Sequence, residues 1–368
     1  MGKEVDNFIT TLRHEDGHKF MDDVVFSGYQ RDSYLVNAHV PRFGSGEAKG
    51  VFDESVRGMD LYILVDVCNY SLTYSMSGNT NHMSPDDHYQ NLKRIIAAVG
   101  GKAKRINVIM PFLYESRQHK RSSRESLDCA LALQELTHMG VDNIITFDAH
   151  DPRVQNAIPL SGFETVRPTY QFVKAILDRY DDLIIDSDHM MAISPDEGAT
   201  ERAVYLANVL NLDMGMFYKR RDYTRVVNGR NPIVAHEFLG SSVEGKDVII
   251  LDDMISSGDS ILDVAKQLKS RNAKRIFAAA TFGLFTNGLD KFDEAYESGL
   301  IDGVLTTNLI YQTPELLSRP YYINCDMSKY VALMIDTLNH DGSISDILDP
   351  SERIQVCVEE YKKAHGQL

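Results

Sequence analysis

Asp252 and Asp253 stand side by side after the apolar run Val248–Leu251, and Ser256, Ser257, Gly258, Asp259 and Ser260 follow them. The next stretch places Ile261, Leu262, Ala265 and Leu268 at helical spacing, so the segment reads as strand, turn and helix. Backbone N–H groups in such a turn and at a helix N-terminus hold a phosphate dianion, and the serine hydroxyls add donors. The two acids at the strand's carboxyl end either accept hydrogen bonds from vicinal sugar hydroxyls or hold a hydrated Mg²⁺. A phosphorylated sugar suits this residue set. Taken alone, the same pattern also describes a solvated strand end with a helix cap.

Other clusters carry related chemistry. Asp148-Ala149-His150-Asp151 follows the run Ile144–Phe147, and period-two alternation puts Asp148 and His150 on one face, suited to a metal or a phosphate. Ser194-Pro195-Asp196-Glu197-Gly198 follows Met190–Ile193 and reads locally as a capped helix start. Lys219-Arg220-Arg221 comes after Met214–Phe217 and before Tyr223–Asn231, a polar run of little periodicity that reads as a mobile loop. A second basic cluster spans Arg117 to Arg124.

The elements that position these groups follow from hydrophobic pattern. Strands are expected at Leu61–Val67, Ile106–Met110, Ile144–Phe147, Met190–Ile193, Met214–Phe217, Val248–Leu251, Ile276–Thr281 and Val304–Thr307. Helical patterns lie between them, at Pro85–Val99, Ser123–Met139, Tyr170–Tyr180, Thr200–Leu210, Asp259–Arg271 and Leu289–Ser298, with two more at Met327–Asn339 and Ser351–Ala364. Such alternation predicts parallel sheets flanked by helices, with ligand sites at the strands' carboxyl ends. At 368 residues the chain is too long for one ordinary α/β core. A boundary is expected near Gly162–Thr169, where Pro159, Gly162 and Pro168 interrupt the periodicity. Residues 1 to about 35 carry no assignable pattern.

Composition excludes several roles. A net charge of −15 argues against general nucleic-acid binding, which rests on neutralising phosphates with Lys and Arg. No apolar run approaches the ~20 residues needed to span a bilayer, and no signal core follows Met1. Cys68, Cys129, Cys325 and Cys357 are scattered without a Cys-x-x-Cys pair, as expected for reduced thiols of a cytoplasmic protein.

Taken in order along the chain, these motifs resemble the ribose-phosphate pyrophosphokinase (phosphoribosyl pyrophosphate synthetase) family. The acid pair and its turn resemble the ribose-phosphate loop shared with type I phosphoribosyltransferases. Asp148-Ala149-His150 with Val154-Gln155-Asn156 resembles the family's Asp-x-His-x-x-x-Ile-Gln-Gly stretch, and Ser194-Pro195-Asp196 opens a match to Ser-Pro-Asp-x-Gly-x-x-x-Arg-Ala. Lys219-Arg220-Arg221 resembles the Lys-Arg-Arg catalytic loop. Ser116-Arg117-Gln118-His119-Lys120-Arg121 resembles the nucleotide-binding Tyr-x-Arg-Gln-Asp stretch, and Arg42-Phe43-Gly44-Ser45-Gly46-Glu47 the Arg-Phe-Ser-Asp-Gly-Glu loop that completes the adenine pocket. Glu54-Ser55-Val56-Arg57-Gly58-Met59-Asp60 matches Glu-Ser-Val-Arg-Gly-x-Asp.

The resemblance implies two tandem type I phosphoribosyltransferase-like domains, each a mainly parallel sheet flanked by helices. The expected spans are 1–165 on the nucleotide side, 166–325 for ribose 5-phosphate, and 326–368 as a helical segment with an extension. It implies pyrophosphoryl transfer from ATP to ribose 5-phosphate in nucleotide biosynthesis, with Mg²⁺ held by His150 and Asp196. Lys219 and Arg221 would be catalytic. Phe43, Ser45, Gly46, Glu47, Arg117 and Gln118 would bind ATP, while Asp252, Asp253, Ser256, Ser257, Gly258, Asp259 and Ser260 would bind the sugar phosphate. A cytoplasmic homo-oligomer built from dimers, up to a hexamer, is implied, with no membrane or nucleic-acid partner. Three positions depart from the family: Ser45 and His119 replace acids, and Asp259 replaces a glycine beside the phosphate. They leave open a catalytically weak or regulatory paralogue, and a phosphoribosyltransferase that consumes phosphoribosyl pyrophosphate is the further alternative.

Overall fold

A computed structural model describes residues 1–16, 31–221 and 233–367, and the elements counted are all among them. The chain forms two compact units. The first contains Met1–Arg167, Asn308–Tyr311 and Asp326–Leu348, and the second Pro168–Thr307, Gln312–Cys325 and Asp349–Leu368. The stretch after Cys325 is therefore divided between them.

In the first unit the order is α1 (Gly2–Asp16), β1 (Ala38–His39), β2 (Val51–Phe52), β3 (Asp60–Leu64), β4 (Thr73–Met76), β5 (Asn79–His82), α2 (Pro85–Val99), β6 (Arg105–Ile109), α3 (Asp128–His138), β7 (Asn143–Phe147) and β8 (Gly162–Val166). β3, β6, β7 and β8 form a parallel sheet in that order. Helix α2 is bounded by its own sequence. Ser84 and Asp87 close a capping box, Pro85 opens the first turn, and Gly100 ends the helix at φ 59°. Its buried Leu92 and Ile96 join Leu133 and Leu136 of α3 over Val108 and Ile144 of the sheet. α3 begins later than its apolar pattern, because the Glu125 carboxylate accepts from the N–H groups of Ser122 (2.7 Å) and Ser123 (2.8 Å) and winds that segment into a turn. The interrupted periodicity near Gly162 proves to be an edge strand, β8.

The second unit runs α4 (Thr169–Arg179), β9 (Met190–Ser194), α5 (Thr200–Leu210), β10 (Asp213–Arg221), β11 (Ile233–Leu239), β12 (Asp247–Ile255), α6 (Asp259–Lys269), β13 (Arg275–Gly283), α7 (Asp290–Glu297), β14 (Gly303–Thr307), α8 (Pro314–Leu317) and β15 (Tyr322–Cys325). Its sheet has the order β11-β10-β9-β12-β13-β14-β15, parallel except for the β10–β11 pair. Along β12, Val248 and Ile250 pack with Ile261, Val264 and Leu268 of α6. Ile249 and Leu251 pack on the opposite face, with Phe172 and Ile176 of α4 and Leu206 of α5. Burial on both faces explains why these strands read as continuous apolar runs rather than alternating ones.

Three helices close the chain: α9 (Ser328–Asn339) and α10 (Ser345–Leu348) in the first unit, and α11 (Ser351–Ala364) in the second. Within the unassigned N-terminus, residues Gly2–Asp16 form α1, whose Arg13 reaches Asp336 (3.0 Å) and Asn339 (2.7 Å) of α9. No helix among the described residues is long and apolar enough to cross a membrane.

Two strand ends differ from expectation in ways that matter for the site. β12 runs on to Ile255, pairing with β13 as far as Gly283, so Asp252 and Asp253 lie within the strand rather than after it. On its other side β12 is paired with β9 only as far as Ile250. The acids are thus edge-like toward β9 alone. β10 also continues, through Lys219-Arg220-Arg221, as an antiparallel ribbon with β11 in place of a cluster beyond the strand. The side chains of Lys219 and Arg221, and the expected loop Tyr223–Asn231, lie outside the described residues.

Candidate active site

In the second unit the acids gather where β9 ends and β12 runs on past it. Ile250 is opposite Ile193, so Asp252 extends two residues beyond the last pair and Asp196 lies just past the end of β9 at Ser194. Asp196 caps a short 3-10 turn, accepting from the Gly198 N–H at 3.0 Å. Asp253 is 4% exposed and its N–H donates to Asp252 Oδ1 at 2.9 Å. Burial holds the Asp252 carboxyl well above the ordinary carboxylate range, and the charges of Asp253 and Asp196 add to the shift. A buried acid whose ionisation is opposed in this way suits a partner that stabilises its anionic form, a pair of sugar hydroxyls or a hydrated divalent cation.

The turn follows directly. Gly258 sits at φ 83° as the cap of α6, a conformation that strains any residue with a Cβ. A Cβ there would also lie 2.4 Å from the Phe292 ring of α7. The connection after β13 clasps the turn: Leu284 N–H donates to Ile255 O (2.9 Å) and Thr286 N–H to Ser256 O (3.0 Å). Ser256, Ser257 and Ser260 flank Gly258 at the head of α6, where first-turn N–H groups lack intrahelical acceptors. The Asp259 carboxylate turns to α7, with Oδ1 2.5 Å from Lys291 Nζ, while Oδ2 accepts from the Ser257 hydroxyl at 3.0 Å. The Lys291 ammonium holds that carboxyl below its usual range.

In the first unit the loop Arg42–Glu47 is tied off by its backbone. Phe43 N–H donates to Glu47 O (2.7 Å) and Gly46 N–H to Phe43 O (2.9 Å). Phe43 is left 54% exposed, and the Ser45 hydroxyl donates to Glu47 Oε2 at 2.9 Å. The hairpin β4–β5, four residues a side around Ser77-Gly78 and too short to stand out in the sequence, backs this loop. Met76 fills the space where a Cβ on Gly46 would come within 2.6 Å of its sulfur, and Ser77 N–H donates to Gly44 O at 3.2 Å.

Arg117 is exposed in the segment after β6. Gln118 spends its amide group on the segment itself, donating to Ser126 O at 2.7 Å. His119 and His150 come together with ring centres 5.4 Å apart, and His119 Nε2 lies 3.5 Å from Asp151 Oδ2. His119 Nδ1 is buried without a hydrogen-bond partner among the described residues. Arg153 hydrogen-bonds Asp151 and draws its carboxyl down to about 2. Strand β7 ends at Phe147 and Asp148 turns to φ 41°, so the expected alternation stops short of the motif. Asp148 is buried, whereas His150 is exposed. Among the described residues no group of three or more His, Cys, Asp and Glu side chains forms a ready metal cluster.

The predicted residues thus assemble as one set around Asp196, Asp252 and the Ser256–Ser260 turn in the second unit, and others around Phe43–Glu47 and around His119 and His150 in the first. Sequence reasoning missed Lys291, Phe292 and the β4–β5 hairpin. Lys291 sits at the start of an expected helix, and only the fold brings it to Asp259.

Known proteins match the chain along most of its length. The sequence model for the N-terminal domain of ribose phosphate pyrophosphokinase matches residues 19–140, and that for the phosphoribosyl transferase domain matches residues 170–306. The ribose-phosphate pyrophosphokinase of Mycoplasma genitalium is 30% identical over 272 residues, covering 73% of this chain and 74% of that protein. The protein of the same name from Pasteurella multocida is 30% identical over 316 residues, 84% of this chain and 90% of its own. The crystal structure of phosphoribosylpyrophosphate synthetase from Mycobacterium smegmatis shares the fold, with a TM-score of 0.69 at 24% identity over 84% of this chain and 93% of that one. With both halves matched in order and curated relatives covered over 74% and 90% of their length, the chain belongs to the ribose-phosphate pyrophosphokinase family.

Proposed function

We propose that this chain transfers the pyrophosphoryl group of ATP to the anomeric hydroxyl of ribose 5-phosphate, giving phosphoribosyl pyrophosphate and AMP. The anomeric oxygen forms a bond to the β-phosphorus, the bond from that phosphorus to the α–β bridging oxygen breaks, and AMP leaves with the electron pair. The hydroxyl proton departs from the attacking oxygen. The observation that carries this reading is the sequence of Asp252 and Asp253 leading into the Gly258 turn and the head of α6, one surface for hydroxyls and one for an anion.

Within it, Asp252 and Asp253 hold the ribose hydroxyls, and the backbone and hydroxyls of Ser256, Ser257, Gly258, Asp259 and Ser260 hold the 5-phosphate. Phe43, Ser45, Gly46, Glu47, Arg117 and Gln118 contact ATP. Lys219 and Arg221 supply fixed positive charge to the migrating oxygens, which matters more in phosphoryl transfer than covalent help. The carboxylate oxygens of Asp196 and Asp252 fit Mg²⁺, a hard cation that prefers oxygen ligands, and the Asp196 charge is among the causes that make Asp252 costly to ionise. By the resemblance of its motif, His150 would hold the Mg²⁺ together with Asp196, the oxygen ligand of the two, and when bound it would neutralise charge on the ATP oxygens.

The pairing of Asp259 with Lys291 removes the main physical objection to activity, a bare carboxylate against the phosphate. A cytoplasmic location and a dimer-based homo-oligomer belong to the same reading and rest on the family alone. The direct test is phosphorus NMR of protein with ATP, Mg²⁺ and ribose 5-phosphate. Signals of AMP and phosphoribosyl pyrophosphate support the reading, and their absence overturns it.

A further inference from the structure

Helix α7 touches the phosphate turn at two consecutive residues. Phe292, fully buried, lies against the open face of Gly258, where even a methyl group would collide with its ring at 2.4 Å. It is steadied edge-on by Phe285 at 5.2 Å, from the same connection whose N–H groups donate to Ile255 O and Ser256 O. Lys291, one residue earlier, is half exposed and places its ammonium 2.5 Å from Asp259 Oδ1.

An exposed ion pair of this kind adds little to stability. Its effect on a neighbouring anion site is a different matter. Asp259 is the first residue of α6, inside the turn that the proposed reading gives to a phosphate dianion. An unpaired carboxylate there repels the ligand and competes with it for the positive end of the helix. Paired to Lys291 and to the Ser257 hydroxyl, the carboxylate is both neutralised and turned toward α7.

We propose that Lys291 is a positioning residue for sugar-phosphate binding, holding the Asp259 carboxylate off the anion site, so that α7 forms the outer wall of the ribose 5-phosphate site. The inference rests on the proposed function of that turn. It explains how a chain with an acid in its phosphate turn keeps the turn usable for an anion. It also couples Asp259 and Lys291: loss of the lysine is deleterious only while the Asp259 carboxylate is present.

Calorimetric titration of the full chain with ribose 5-phosphate at low salt tests it, using wild type, Lys291→Met, Asp259→Asn and the double variant, with ATP titrated in parallel. Lys291→Met is expected to weaken ribose 5-phosphate binding about five-fold, the scale of one unscreened charge near the ligand, and to leave ATP binding as in wild type. Asp259→Asn added to Lys291→Met is expected to restore wild-type affinity, which a merely structural role for the lysine would not do. Unchanged affinity in Lys291→Met, or no rescue in the double variant, overturns the inference while leaving the site intact. Failure of the wild type itself to bind ribose 5-phosphate overturns the reading of the turn, and the inference with it.

Discussion

The guanidinium of Arg42 lies 4.0 Å over the ring of Tyr74, clamped from the side by Asp87 at 3.1 Å and donating to Gly46 O at 2.9 Å. Three elements meet at this one side chain: the Arg42–Glu47 loop, the β4–β5 hairpin and the first turn of α2. The hairpin thus sets the shape of a loop proposed to contact ATP, although it carries none of the contacting residues.

Tyr74→Ala should therefore raise the KM for ATP, by about three- to ten-fold, as expected for loss of a cation–π contact of ~0.5–1 kcal/mol together with some loop ordering. The KM for ribose 5-phosphate and kcat should stay within about two-fold of wild type. Steady-state kinetics against each substrate checks this, and a Tyr74→Phe variant should behave as wild type. Equal loss for both substrates would contradict a role specific to this loop.

Gly258→Ala combines a left-handed backbone at φ 83° with a clash against Phe292. The backbone strain alone is about 1 kcal/mol, and overpacking against a buried ring adds about 1–3 kcal/mol. Chemical denaturation should show a loss of roughly 2–4 kcal/mol, the sum of those two ranges, and ribose 5-phosphate binding should be lost in the folded fraction. Wild-type stability in the variant would show that the turn is not held as described.

Asp66 predicts a pH dependence of stability. Its two oxygens accept from the backbone N–H groups of Cys68 (2.9 Å) and Tyr311 (2.6 Å), yet burial raises its pKa from 3.8 to about 6. The folded protein then holds this proton more tightly than the unfolded chain. The stability linked to it is fully present below about pH 4 and lost as pH rises through about 6. At 1.36 kcal/mol per pK unit the loss is on the order of 3 kcal/mol. The unfolding free energy of Asp66→Asn minus that of wild type should grow by this order between pH 4 and pH 7. A difference that stays flat with pH would contradict the shift.

How far the sequence carries this picture depends on the range of each interaction. Helix α2 is legible because Ser84, Pro85, Asp87 and Gly100 mark its ends with local chemistry. β12 and α6 are legible because burial on both faces of a strand and on one face of a helix leaves opposite patterns in neighbouring residues. The extension of β12 past Leu251 is not, since it depends on β13 continuing beside it to Gly283. β4 alternates polar and apolar residues over only four positions, Thr73 to Met76, and β5 is polar with Asn79 and Thr80 exposed, a pattern too short to announce a hairpin. α1 buries little beyond Val5 and Ile9 on its apolar side. At the site, the residue types of Asp252, Asp253 and Gly258 speak for themselves. The partner of Asp259 lies 32 positions away in sequence, and no local rule points to it.

Lys219 carries the central claim, because fixed charge on the migrating oxygens is what separates a pyrophosphoryl transferase from a protein that only binds the two substrates. Single-turnover formation of AMP from ATP, measured with and without ribose 5-phosphate for wild type and Lys219→Ala, tests it most directly. The expected result is AMP that appears only with ribose 5-phosphate in wild type and falls by roughly 100- to 1000-fold in the variant, the usual cost of removing one preorganised charge-stabilising donor. AMP formation independent of ribose 5-phosphate, or equal in the two proteins, would contradict it.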